Sequence, residues 1–316
     1  MRYEKELLEL ENRIHELEIF AAEKEVDLTK EIDKLRMLHA AKAKEAYSKL
    51  TDWDKVSIAR HPERPYALDY INEITTDFVE LHGDRLFGDD EAVVGGLCRI
   101  DNKKFMVIGI QKGRTVNEKI KRNFGMSSPE GYRKALRLMK MAEKFRIPVL
   151  TLIDTAGAYP GLEAEERGQG EAIARNLMEM SGLKTPIIAV IIGEGGSGGA
   201  LALGVADKVF MMEHSVYSVI SPEGCAAILF KDGSLAEKAA SNLKISAQNL
   251  KKLGVIDGII PEPFGGAHKD PKCAEINLKK EVLLSISELE KINIDTLLEN
   301  RYNKFRKMGS FIGTDI

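Results

Sequence analysis

Thr185 to Ile192 reads TPIIAVII and runs straight into GEGGSGGALALG, Gly193 to Gly204. An apolar and β-branched run of this length reads as a buried strand. Five glycines in the next seven residues strip side chains from the turn, and Ala200 onward resumes as a helix. A strand, a glycine turn and a helix in that order expose backbone N–H groups at the positive end of the helix. Such a turn holds a phosphate, a carboxylate or an oxyanion formed during a reaction. Choosing among the three is the functional question.

The surroundings of this turn predict an α/β domain. Strands are expected at Ala92–Ile100, Lys104–Ile110, Val149–Asp154, Ile187–Ile192, Val209–Met212, Val216–Ile220 and Ile256–Ile260. Helices are expected at Tyr66–His82, Tyr132–Phe145, Ala164–Met180, Gly198–Val205, Cys225–Phe230, Leu235–Ser241 and Ala247–Leu253, and again from Cys273 to Arg306 before a polar tail. Strands alternating with helices argue mostly parallel pairing. Residues 1 to about 50 differ: they carry no Gly or Pro and dense alternating charge. There Leu7, Leu10, Ile14, Leu17, Ala21, Leu28, Leu35 and Leu38 share one heptad frame, which Lys24 and Glu31 interrupt. That predicts a long helix or a helical hairpin whose stripe packs on the body of the chain or on a second subunit. Arg60 to Pro65 (RHPERP) is a breaker-rich linker, so the expected division is 1–60, a charged helical segment, and 61–316, the α/β domain.

Composition narrows the partners. Among 316 residues no apolar run approaches the ~20 residues of a membrane span, and the charged start MRYEKELLEL is not signal-like, which points to the cytoplasm. Cys98, Cys225 and Cys273 are far apart with no CxxC, which argues against a disulfide framework or a cysteine zinc site. The net charge of −3 conceals eleven Lys/Arg against three Asp/Glu between Lys112 and Arg146. This asymmetry points to an anionic ligand or partner, whereas nucleic acid is disfavoured by the acidic remainder. Lys112 and Arg114, just past a strand end, are placed for a ligand carboxylate or phosphate. Arg133, Arg137, Lys140 and Lys144 form a basic stripe on a helix, read equally as a solvated face and as a contact with a ligand or partner protein.

The nucleotide readings are weak. Asp154-TAG matches the DxxG of GTPases, and Gly193 to Gly198 has P-loop spacing, but Gly199 and Ala200 stand where Lys and Ser/Thr are needed. A dinucleotide GxGxxG matches at Gly193, Gly195 and Gly198, but a lone match is weak evidence, and Glu213, fifteen residues past Gly198, leaves it open on distance alone. The oxyanion reading needs less. A second glycine turn, Asp154 to Gly161 (DTAGAYPG), follows another strand, and ligands gather beyond the carboxyl ends of strands. Ala158 on one turn, and Gly198 or Gly199 on the other, are the candidate N–H donors. The alternative for these glycines is tight helix–strand packing. Glu163, Glu165, Glu166 and Glu171 read mainly as acidic residues favoured in the first turn of a helix, Ser221 as an N-cap with Pro222 following, and Cys225 as a small buried residue.

Asn123–Phe145 (NFGMSSPEGYRKALRLMKMAEKF), Asp154–Leu177 (DTAGAYPGLEAEERGQGEAIARNL), GEGGSGGALALG, Tyr217–Leu229 (YSVISPEGCAAIL) and Glu262–His268 (EPFGGAH) occur together and in order. The chain closely resembles the carboxyltransferase alpha subunits of bacterial acetyl-coenzyme A carboxylase along essentially its whole length. It departs from them at Ala156, Ile110 and Phe230, where the family usually has Pro, His and Trp; none of these removes a backbone donor. The resemblance implies a crotonase-type (ClpP/crotonase-like) core of ββα units behind an N-terminal helical segment. It implies an α2β2 complex whose beta subunit carries a zinc ribbon and much of the acyl-CoA site, with no zinc on this chain. It also implies carboxybiotin arriving on a biotin carboxyl carrier protein, ATP used by a separate biotin carboxylase component, and acetyl-CoA converted to malonyl-CoA in fatty acid biosynthesis; the alternatives are a carboxyltransferase subunit for another short acyl-CoA and a non-catalytic CoA-binding scaffold subunit. The expected oxyanion donors are then Ala158 with Gly198 or Gly199, serving the biotin side, and the expected ligand contacts are Gly157, Tyr159, Gly195, Gly196, Ser197, Lys112 and Arg114.

Overall fold

A computed structural model describes residues 2–309. Residues 2–48 form a helical hairpin, α1 (Arg2–Lys24) and α2 (Thr29–Ser48), reversing where Glu25 takes φ +51°. An antiparallel ladder joins its arms: Glu18 to Arg36, Glu11 to His39 and Glu6 to Lys42. The single heptad frame does not survive the reversal. Leu7, Ile32, Ala43 and Ala46 are buried, while Leu38 is exposed.

Next come α3 (Asp52–Ala59), α4 (Ala67–Ile74), β1 (Thr76–Glu80), β2 (Val93–Ile100), β3 (Lys103–Ile110), α5 (Val116–Lys121), α6 (Pro129–Phe145) and β4 (Val149–Thr155). They are followed by α7 (Leu162–Glu166), α8 (Gln169–Ser181), β5 (Ile187–Gly196), α9 (Ser197–Leu201), β6 (Lys208–Met212) and β7 (Val216–Ser218). The described chain ends with α10 (Pro222–Leu229), α11 (Ala236–Leu243), α12 (Ala247–Lys252), β8 (Gly258–Ile260), α13 (Pro271–Leu289) and α14 (Ile294–Arg306). The expected polar tail lies beyond residue 309 for most of its length, outside the described residues.

One twisted sheet in the order β1-β2-β3-β4-β5-β6-β8 carries the domain, with β7 paired to the far end of β5. The first two pairings are antiparallel and the rest parallel. Successive residues of each central strand face opposite layers. Val107, Leu150, Leu152, Ile188 and Val190 face one core with α4 and α13; Met106, Ile108, Val149, Ile187, Ala189 and Ile191 face the other with α6. Burial on both faces is why the parallel strands are continuous apolar runs.

Three expectations are corrected. The helix expected over Tyr66–His82 stops at Ile74, and Thr76–Glu80 is an edge strand against β2. Leu68, Ile71 and Ile74 obey the helical spacing, but β-branched Thr75 and Thr76 and the open sheet edge turn the next residues into a strand. The helix expected over Ala164–Met180 breaks at Gly168, whose φ is +81°, into α7 and α8. The strand Ile187–Ile192 does not end at the first glycine. It continues to Gly196, because Glu194, Gly195 and Gly196 pair with β7.

Candidate active site

The two glycine segments lie side by side. β4 and β5 run parallel, and Thr155 pairs with Gly195 at their ends. A Cβ on Gly199 would stand 2.5 Å from the Ala158 nitrogen and 2.6 Å from the Gly157 carbonyl carbon. One on Gly196 would run into the Ala156 carbonyl. Close backbone approach therefore requires glycine at both positions, so the packing alternative from the sequence accounts for them fully. Gly195 lies against the Tyr217 ring. Gly198 is different: its Cβ would meet only Ile173, at 3.6 Å.

The turn itself shrinks to Ser197, which sits at φ +52°, a strained conformation for a residue with a side chain. The helix α9 that begins there is only five residues long, so its macrodipole is small and any oxyanion donor must act as an individual N–H. On the facing turn, Gly157 N–H donates to Thr155 Oγ1 and Tyr159 N–H to the Ser127 carbonyl. Ala158 N–H, between them, donates to none of the described residues. Gln169 anchors this turn by donating to the Ser127 and Tyr159 carbonyls; breaking the helix at Gly168 is what delivers it there. A cavity of about 400 Å³ opens beside Ser197 and Gly198, walled by Leu201, Tyr217, Phe305 and Met308, a size typical of small-molecule sites.

The basic residues expected at a ligand are engaged within the chain. The Lys112 ammonium lies 2.8 Å from Asp154 Oδ1 and 3.0 Å from Glu194 Oε2. Burial would lower its pKa, but the two carboxylates outweigh burial and hold it above the lysine range. Arg114 pairs with Asp69 and stacks on the Tyr66 ring. Three members of the stripe on α6 are likewise engaged: Arg133 with Asp84 and Glu130, Arg137 with the His82 and Gly83 carbonyls, Lys140 with Glu179, while Lys144 lies over the Phe145 ring. Glu163, Glu165, Glu166 and Glu171 are exposed on α7 and α8. Ser221 caps α10 by accepting from Gly224 N–H, and Cys225 is buried.

Sequence reasoning missed Arg60 and Arg64, which sit in the supposed linker. Arg64 is fully buried; its Nε donates to the Ile192 carbonyl at 2.7 Å and its fork grips Glu262 at 2.8 and 2.6 Å. Arg60 bridges Glu194, at 2.7 Å, to Glu223. Burial would raise the Glu194 pKa, but Lys112 and Arg60 override it and hold the carboxyl below its ordinary range. A lone glutamate inside an apolar and glycine-rich strand was the available signal, since a buried charge demands a partner.

A family model described as acetyl co-enzyme A carboxylase carboxyltransferase-like matches residues 1–309. The chain belongs to this carboxyltransferase family. It is 66% identical over 311 residues to an acetyl-coenzyme A carboxylase carboxyl transferase subunit alpha of Fusobacterium nucleatum, covering 98% of this chain and 99% of the relative. It is 56% identical to the protein of the same name from Geobacillus sp. (strain WCH70), covering 98% and 96%. The family function is that of an acetyl-CoA carboxylase alpha subunit, a transferase of fatty acid biosynthesis, and the relatives' names do not fit a subunit for another acyl-CoA or a scaffold. The fold is the crotonase-like carboxyltransferase fold. A transcarboxylase 12S structure superposes with TM-score 0.56 at 17% identity, over 83% of this chain and 46% of that one. The beta subunit of Pseudomonas aeruginosa geranyl-CoA carboxylase gives 0.54 at 16%, over 84% and 48%. The carboxyltransferase chain here thus spans about half the length of those solved chains. No helix among its described residues is long and apolar enough to cross a membrane.

Proposed function

We propose that the paired glycine turns form an oxyanion hole serving the biotin side of carboxyl transfer to acetyl-CoA, in the cytoplasm. The contact of Gly199 with the Ala158–Gly157 backbone carries this reading, because it sets the unspent Ala158 N–H beside the first N–H groups of α9. The residues fit the group on the α9 side: the cavity beside Ser197 and Gly198 is apolar-walled and of small-molecule size. Bound carboxybiotin supplies the carboxyl group, released as CO2 equivalent. This chain's part is to hold two N–H groups, from Ala158 and from Gly198 or Gly199, toward the ureido oxygen as negative charge builds there. Ser197 lines this cavity, and Gly157, Tyr159, Gly195 and Gly196 are the further ligand contacts in this reading. The methyl proton would go to the ureido nitrogen freed of its carboxyl group, so no side chain of this chain needs to take it.

In this reading the thioester oxygen is stabilised by a beta subunit in an α2β2 complex. That subunit also carries the zinc ribbon, biotin arrives on its carrier protein, and ATP is spent by a separate component. The helical hairpin before residue 60 is read as a docking element for the complex. The test is to assay malonyl-CoA decarboxylation with biotin, with and without the partner: turnover should require both. Gly198→Pro, which deletes one N–H, should cut turnover about 10²–10³-fold while the complex still assembles. Enoyl-CoA hydration by the chain alone, or unchanged turnover in Gly198→Pro, would contradict the assignment.

A further inference from the structure

The contact between the glycine turns depends on a break in strand register. β4 and β5 pair as Ile153 with Ile191, and then as Thr155 with Gly195. β4 advances two residues while β5 advances four. In unbroken register Thr155 would face Gly193, and the Ser197–Gly199 turn would stand about 6.6 Å further along the strand, two residues of rise. The bulge at Ile192–Glu194 takes up this excess and draws the second turn back onto the first.

A bulge leaves its residues unpaired with the neighbouring strand; Glu194 keeps its pairing with β7, but on the β4 side something else must hold the segment. Asp154, opposite it, does so with one oxygen: Oδ1 accepts the Glu194 N–H at 2.8 Å and pairs with Lys112 at 2.8 Å. Asp154 is 1% exposed, and a side chain on Gly193 would stand 2.5 Å from that oxygen. Lys112 continues to the Glu194 carboxylate, its stem threading past Gly125. Arg64 holds the Ile192 carbonyl, and Arg60 ties the other oxygen of Glu194 to α10. Every bulged residue is thus gripped by, or packed on, a buried charged side chain.

We infer that Asp154, with Lys112, is a positioning residue that fixes this bulge and thereby the spacing of the two turns; this rests on the oxyanion reading above. At 1% exposure it is closed off from a ligand, and it acts through the backbone of Glu194. Burial, opposed by Lys112, raises its pKa, and Oδ2 meets no donor among the described residues. An amide nitrogen therefore fits the Oδ2 position, while Asn Oδ1 still accepts from Glu194 N–H and Lys112. Valine keeps the bulk and removes the acceptor.

The experiment measures kcat and KM for malonyl-CoA decarboxylation by the complex with its partner subunit, together with assembly and melting temperature. Asp154→Asn should stay within about threefold of wild type, and Asp154→Val should lose about 10²-fold in kcat, as expected for a misplacement near 1 Å. KM should move by less than about threefold in both. If Asp154→Val does not assemble, Lys112→Met carries the test, with about a tenfold fall in kcat at unchanged KM. Wild-type kcat in the assembled variant overturns the inference. So does activity that falls only in step with the assembled fraction, or an Asn variant as impaired as Val. If Gly198→Pro abolishes turnover while these variants do not, the positioning role fails and the oxyanion reading stands. If Gly198→Pro is also silent, both fail.

Discussion

Gly199→Ala acts directly on the contact between the turns. Its Cβ would lie 2.5 Å from the Ala158 nitrogen, 2.6 Å from the Gly157 carbonyl carbon and 3.0 Å from the Tyr132 hydroxyl. The first two atoms are backbone, and Tyr132 is fully buried, so no flexible side chain can absorb the methyl. Ordinary contact begins at 3.4 Å, so the turns must part by about 0.9 Å. A displacement near 1 Å at a reacting centre costs about 10²-fold in rate, or about 2.7 kcal/mol in barrier height. Gly198→Ala, whose Cβ meets only Ile173 at 3.6 Å, should cost less than about tenfold, since it keeps its N–H. Steady-state malonyl-CoA decarboxylation by the complex reads kcat for each, with melting temperature as the check on folding. A folded, assembled Gly199→Ala with wild-type kcat would refute the reasoning, because the turns would then not need their observed spacing.

Two further expectations concern stability. Arg301, 1% exposed, pairs with both Asp207 oxygens and donates to the Met180, Leu183 and Thr185 carbonyls. Arg301→Met leaves the buried Asp207 carboxylate without its cationic partner, with only the Ile187 N–H among the described residues still donating to Oδ2, and should destabilise by about 3–5 kcal/mol, read from the urea midpoint; a loss under 1 kcal/mol would contradict it. His268, stacked on His61 at 3.8 Å, is pushed down to about 4, first by burial and then by His61 and Lys269. The unfolded state therefore takes up this proton first, so the contribution is complete above pH 6.5 and is lost as pH falls from 6.5 toward 4. The slope of midpoint against pH in that window should flatten in His268→Phe, and an unchanged slope would remove His268 from the account.

The strands were legible because a parallel strand buried on both faces must be apolar at every position, as Ile187 to Ile192 is. The helical hairpin was legible as charge and heptad spacing, but not its point of reversal. β1 was not legible: Phe78 lies at helical spacing after Ile74, and only pairing with β2 makes Thr76–Glu80 a strand. The glycines announced a side-chain-free turn. That Gly196 and Gly199 face backbone while Gly198 faces Ile173 depends on which segment lies opposite. The basic segment from Lys112 to Arg146 suggested an anionic ligand because the sequence does not show its partners. Asp69, Asp84, Asp154, Glu179 and Glu194 supply them from as far as 82 residues away.

By itself the sequence determined the α/β class, the two glycine turns beyond strand ends and, through motifs in order, the family. These are local patterns, set by residue size, β-branching and backbone freedom within a few positions. Only the tertiary structure decided the bulge opposite Asp154, the extension of β5 to Gly196 and the use of Arg60 and Arg64 as its braces. Arg60 and Glu194 are 134 residues apart. A buried charge states that it needs a partner, and the packing of the whole chain decides which one it finds.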